Sequence, residues 1–153
     1  MSWDVIVFAA TTDARSDGSG VAVFEDGWEP DDIGPRAEVQ HAISQVYDQT
    51  SWSDPSWGVL EGGTYSLEFG LRDDATVKTF GIYGRGAATG AVLHLLEVTG
   101  WQGLDLQTGK WLSATDDPDE GRRGYQALLD RAVASHGASA RKTRGFWARL
   151  LGK

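Results

Sequence analysis

Residues 65–71 alternate without a break: Tyr65, Leu67, Phe69 and Leu71 are apolar, whereas Ser66, Glu68 and Gly70 between them are not. A period of two sends successive side chains to opposite faces, so this segment reads as a strand with one face in a core and the other toward water. Such half-buried strands belong to antiparallel sheets, since parallel strands are covered on both faces. Turn residues bracket the segment, Gly62-Gly63 before it and Asp73-Asp74 after it. Val59 and Leu60 lie beyond the first turn and the run 77–83 beyond the second. Two or three successive antiparallel strands are the natural reading.

The other elements are arranged around this block. Residues 3–10 form a nearly continuous run with Val5, Ile6, Val7 and Phe8, which at this length reads as a strand covered on both faces. A long loop is expected over 11–35, rich in glycine, proline and acids, with brief pairing at 21–24. Val39, Ala42, Ile43, Val46 and Tyr47 recur at helical spacing after Pro35, predicting a helix over about 36–48. Residues 49–58, QTSWSDPSWG, read as a structured loop around the turn-forming pair Asp54-Pro55. Glycines at 84–90 predict a flexible connection, and Val92, Leu95, Leu96 and Thr99 a second helix stopped by Gly100. A hairpin follows over 104–112 with its turn at Thr108-Gly109, and then a third helix over about 116–134.

This order is not the strict strand–helix alternation of a doubly wound sheet. The expected class is α+β: a mostly antiparallel sheet with about three helices packed on it. One domain is expected over 1–136, followed by a basic linker and short amphipathic tail over 137–153.

Charge divides the chain in the same place. The formal net charge is −8, but residues 1–137 carry nine bases against all 22 acids, a charge of −13, and residues 138–153 carry five bases and no acid. An acidic body disfavours nucleic-acid backbones and favours partners with basic surfaces. The chain has no cysteine, which removes disulfides, thiol nucleophiles and thiolate zinc sites and suits a reducing cytoplasm, the expected location. No apolar run approaches the length of a membrane span, and no positively charged flank marks a signal peptide.

The candidate sites are of three kinds. The acidic loop carries seven acids and one base over 13–32, with Trp28 between Asp26 and Glu29. Together with Asp31 and Asp32, and with Trp52, Asp54 and Trp57 further on, Trp28 and Glu29 form the expected partner-binding set. The string GIYGRGAATG at 81–90 offers a second reading, an anion or nucleotide site at a helix start built on Gly84, Arg85 and Gly86. It has neither a phosphate-loop ending nor a dinucleotide fingerprint. The third is the tail, where Phe146, Trp147, Leu150 and Leu151 recur beside Arg149 and suggest docking onto the body or a membrane surface.

Catalytic and metal chemistry find no foothold. His41, His94 and His136 are separated and fall on expected helices, His94 reading as a half-buried histidine of an apolar helix face. No serine sits in a nucleophile elbow. The pairs Asp31-Asp32, Asp73-Asp74 and Asp116-Asp117 read as turn formers and caps rather than acid–base pairs, and no calcium-loop pattern is present. No catalytic residue, metal or cofactor is therefore assigned.

As a set, MSWDVIVF at 1–8, IGPRAEV at 33–39, WSDPSWG at 52–58, YSLEFGL at 65–71, GIYGRG at 81–86 and GWQGLDLQTGKWL at 100–112 resemble a group of small uncharacterised bacterial proteins. The resemblance spans residues 1–112 and carries no catalytic motif; residues 13–24 look like an expansion of its first loop. In its small, acidic α+β character the chain also resembles the immunity proteins of polymorphic toxin systems, which occupy the active cleft of a toxin. That resemblance implies a protein partner, a cognate toxin, and assigns no contact residue. The expected function is thus non-enzymatic binding of a basic protein through an acidic, tryptophan-containing surface. The anion site and a membrane adaptor working through the tail are the alternatives.

Overall fold

The computed structural model describes residues 2–112. In chain order the elements are β1 (Trp3–Phe8), β2 (Gly34–Pro35), α1 (Arg36–Val46), β3 (Ser51–Asp54), β4 (Trp57–Glu61), β5 (Tyr65–Gly70), β6 (Thr76–Val77), β7 (Thr79–Gly86), α2 (Thr89–Thr99), β8 (Gln102–Asp105) and β9 (Lys110–Trp111). Seven strands form one sheet in the order β3-β4-β5-β7-β1-β8-β9, and β2 pairs with β6 beside it. Every pairing is antiparallel. The class is therefore α+β, with two helices among the described residues rather than about three. The third expected helix, Asp116-Asp117, His136 and the tail residues Phe146, Trp147, Arg149, Leu150 and Leu151 lie outside the described residues.

β1 explains why its sequence lacks alternation. It is a central strand, paired with β7 on one side and β8 on the other. Val5 and Val7 face the helices with Ile82 and Phe80 of β7, while Ile6 and Phe8 enter a second cluster with Leu104 on the far side. All four β1 residues are at most 1% exposed. Full burial of each such side chain is worth about 1.5–3 kcal/mol, so this strand contributes heavily to the core.

α1 and α2 pack on one face of the sheet. α1 follows Pro35, its N-cap, and buries Val39 and Ile43. α2 buries Val92, Leu93, Leu95 and Leu96 and ends at Gly100, whose φ of 77° is open to a residue without Cβ. The helices are tied together by the Tyr47 hydroxyl, which donates to the Ala91 carbonyl at 2.7 Å. Burial, and secondarily the proximity of Tyr65, pushes the Tyr47 hydroxyl up to about 12, so it remains a donor throughout the physiological range.

Three local expectations change. Within the expected loop at 49–58, residues 51–54 form β3 and Trp57 and Gly58 begin β4, whose Val59 and Leu60 were expected in a strand; Asp54 pairs with Trp57, with a register irregularity between Ser51 and Asp54. The glycine string at 84–86 belongs to β7, where Gly84 pairs with Leu67 and Gly86 with Tyr65, so the connection into α2 is much shorter than the expected 84–90. Gly86 ends the strand at φ 70°, and a Cβ there would meet the Thr64 carbonyl oxygen at 2.4 Å. His94 is exposed, not half-buried, and meets the Tyr47 ring edge-on at 6.3 Å between centroids. The 104–112 hairpin is present as β8–β9. Among the described residues no helix is long and apolar enough to cross a membrane.

Candidate functional site

The sheet face opposite the helices is built in two halves, and the candidate residues divide between them. One half, over Ile6, Phe8 and Leu104, is covered by the long first loop, whose Ala22, Phe24 and Trp28 pack on it together with Leu106 and Trp111. Thr79, Gly81, Tyr83 and Arg85 of β7 share that side of the sheet by strand alternation. Toward β5 and β4 the loop no longer covers it.

The covering loop is fastened at several points. The Trp28 ring lies 4.7 Å from Phe24 and 5.9 Å from Phe8, and Trp111 sits 5.3 Å from Phe8. The Trp111 indole N–H donates to the Arg15 carbonyl at 3.0 Å. Backbone bridges join Ser16 to Ala22 and Val21 to Lys110. Asp17 accepts from the Ser19 hydroxyl and amide at 2.6 and 2.8 Å and from the Val21 amide at 3.1 Å, and these bonds hold its carboxyl below the usual range. Thr11 donates to Asp31 at 2.8 Å.

The loop's single base is already neutralised. Arg15 contacts Asp13 at 2.6 Å and Glu25 at 2.9 Å, pairs too exposed to add much stability. Asp26, Glu29 and Asp32 remain exposed and form no ion pair among the described residues. Aromatic side chains thus hold a run of carboxylates in place at the surface.

The structure disperses the expected partner-binding set. Trp28 is a half-buried anchor of the loop, not a free surface ring. Glu29, Asp31 and Asp32 are exposed beside it. Trp52 faces the helix-side core: it stacks on Phe69 at 6.3 Å, its N–H donates to the Ser44 hydroxyl at 2.9 Å, and its ring fills the space a Cβ on Gly58 would need. Asp54 organises the β3–β4 turn, accepting from the Ser56 amide and hydroxyl at 2.9 and 2.8 Å, which hold its carboxyl low. Only Trp57, 38% exposed, presents a large ring to solvent.

Trp57 lies on the open half of the sheet face, against Tyr83 at 5.5 Å between centroids and 17° from parallel. Both rings approach Gly70: a Cβ there would meet Trp57 at 2.9 Å and Tyr83 at 3.4 Å. The Tyr83 hydroxyl rests over Gly81, 2.7 Å from where its Cβ would be. A shallow cleft of about 410 Å³ above them is lined also by Ser56, Glu68, Arg72 and Arg85. Tyr83, Glu68, Ser56 and Arg72 were not singled out in the sequence. The available signal was Gly70 and Gly81 inside strands, which marks a close approach of another group.

Arg85 is therefore not where the anion reading placed it. Its side chain lines this cleft on the face away from α2, so it does not flank the helix N-terminus. A separate groove of about 470 Å³ between Trp28, Glu29 and Pro30 on the loop and Leu71, Asp74 and Lys78 on the segment joining β5 to β7 also reaches Arg72. No group of three or more metal-ligating side chains exists among the described residues. No protein-family model, curated protein or solved structure matches the chain.

Proposed function

We propose that this is a non-enzymatic binding protein that docks a protein with a basic surface onto its acidic first loop. The observation that carries the reading is the fastening of that loop by Phe24, Trp28 and Trp111 over Phe8. A surface ordered in advance loses little conformational entropy on binding, and one rich in like charge speeds encounter with an opposite partner. Glu29, Asp31 and Asp32 are the contacts of this reading, and Trp28 is the residue that positions them. An immunity protein covering a toxin's cleft is the kind of protein such a surface suits, and the resemblance noted from the sequence points the same way.

The test is capture from lysate of the native cell with full-length protein and with the Asp31→Lys, Asp32→Lys double variant. The expected result is a strongly basic protein held by the first and lost by the second, with an affinity drop of about tenfold or more and steep salt dependence. Equal capture by both forms, or no basic protein held by the unaltered chain, refutes the reading.

A further inference from the structure

A cleft lies on the open half of the sheet, apart from the acidic loop, and its lining differs in chemistry from that loop. The Trp57 and Tyr83 rings are stacked, 5.5 Å between centroids and 17° from parallel, and both approach the Gly70 position, so they form a joined aromatic surface packed against the backbone as the floor of the cleft. Around this floor stand groups of mixed sign. Glu68 accepts, at 3.5 Å, a long hydrogen bond from the Trp57 indole N–H, which leaves most of its acceptor capacity open. Arg85 is exposed and makes no ion pair among the described residues, although acids outnumber bases over the chain. The Ser56 hydroxyl donates to Asp54 and keeps its lone pairs.

Tyr83 adds a donor. Burial, followed by the nearby carboxylates of Asp4 and Glu68, raises its pKa, which keeps the hydroxyl protonated. Directly across from it on β1, Asp4 has one buried carboxylate oxygen with no hydrogen-bond partner among the described residues.

Three ligand classes differ in what they require here. An anion needs an excess of positive charge, but Glu68 shares the cleft with Arg85, and Arg72 lies 3.6 Å from Asp74. A cation is disfavoured by Arg85 and Arg72 at the same cleft. A neutral ring with one apolar face and hydroxyls at its edge needs an exposed aromatic face, planar acceptors and planar donors together. We infer that this face binds a sugar ring of a neutral glycan, stacked on Trp57 and Tyr83 with its hydroxyls bonded to Glu68 and Arg85. Aromatic rings that are apolar on the face and ringed by polar groups suit such an amphipathic ligand.

The probes are neutral hexasaccharides of glucose and of N-acetylglucosamine, titrated into full-length protein and followed by NMR line shifts and calorimetry, with inorganic phosphate and arginine as charged comparators. Binding of at least one hexasaccharide with a Kd of about 1 mM or tighter is expected, insensitive to salt because the ligand is neutral. Gly70→Ala, which pushes the two rings off the sheet while retaining both, and Arg85→Ala, which alters an exposed side chain, should each weaken it by about fivefold or more. The Asp31→Lys, Asp32→Lys variant should bind the saccharide unchanged, so this site and the acidic loop fail or succeed separately. If no hexasaccharide binds at about 10 mM, if both Gly70→Ala and Arg85→Ala bind as the unaltered chain does with folding verified by circular dichroism, or if phosphate or arginine binds there in preference, the assignment is wrong.

Discussion

At the residue scale, the tryptophans show how one residue type serves three purposes. Trp28 fastens a loop, Trp52 fills the helix-side core, and Trp57 lies open on the sheet. Sequence could place the latter two close together, because they flank Asp54-Pro55, but it could not separate their roles. That separation is made by the register irregularity between Ser51 and Asp54: Asp54 pairs with Trp57 and Ser51 with Val59, so the extra residue between them sends Trp52 to the face opposite Trp57. Asp105 shows a different kind of residue, a carboxylate only 6% exposed. Its Oδ1 accepts from the Gln107 amide at 2.8 Å and so shapes the β8–β9 turn. The Trp3 indole N–H lies near enough to favour its charged form, yet falls short of hydrogen-bond geometry to any described acceptor.

Burial dominates at Asp105 and raises its pKa, against the opposing pull of Gln107, Trp3 and Thr108. The folded protein therefore takes up this proton at a higher pH than the unfolded chain does. The corresponding stability is present below the ordinary value of 3.8 and is lost as pH rises through the folded pKa. Asp105→Asn keeps the turn acceptor and removes the buried charge. Thermal unfolding should show the variant more stable than the unaltered protein at neutral pH, by a few degrees, with the difference shrinking as pH falls through the acid range.

At the element scale, legibility followed periodicity. β5 was readable because Leu67 and Phe69 face the core and Ser66 and Glu68 face out, and α2 because its apolar face is followed by Gly100. The β3–β4 hairpin was not, because β3 is an edge strand with a single large apolar residue, Trp52, among Ser51, Ser53 and Asp54. The end of β7 was missed for a related reason: Gly84 and Gly86 resemble a loop, although sheet neighbours on both sides of Gly84 keep it in line. The cleft was hidden for the same reason, since Trp57, Glu68, Tyr83 and Arg85 come from three strands whose order no local pattern states.

The hairpin's attachment is measurable. Trp52→Ala removes the stack on Phe69 and leaves the Ser44 hydroxyl without its donor, and should cost about 3 kcal/mol in urea unfolding. Trp57→Ala, on the open face, should cost about 1 kcal/mol. Equal losses would mean that the two rings are not divided between core and surface.

At the scale of the whole molecule, the sheet has one face committed to helices and the other shared between a fastened acidic loop and an aromatic cleft. Division of labour between them follows from charge: the loop holds seven acids against one base, whereas the cleft mixes Glu68 with Arg85 and Arg72. The net charge alone could indicate an acidic protein with a basic segment after residue 137. It could not indicate that the acids of the first loop are held rigid by rings drawn from β1, β9 and the loop itself, because those residues are far apart in the chain.

The docking proposal stands on that rigidity, and amide hydrogen exchange reads it directly. Val23 and Trp28 donate within the loop, Ala22 to the Gly109 carbonyl, and Ile33 to the Val77 carbonyl at 2.7 Å. Peptides covering residues 11–33 should exchange far more slowly than an unstructured chain, and Trp28→Ala should remove most of that protection while leaving β5 and β7 protected. Exchange of 11–33 at the unprotected rate in the unaltered protein would contradict a preformed acidic surface.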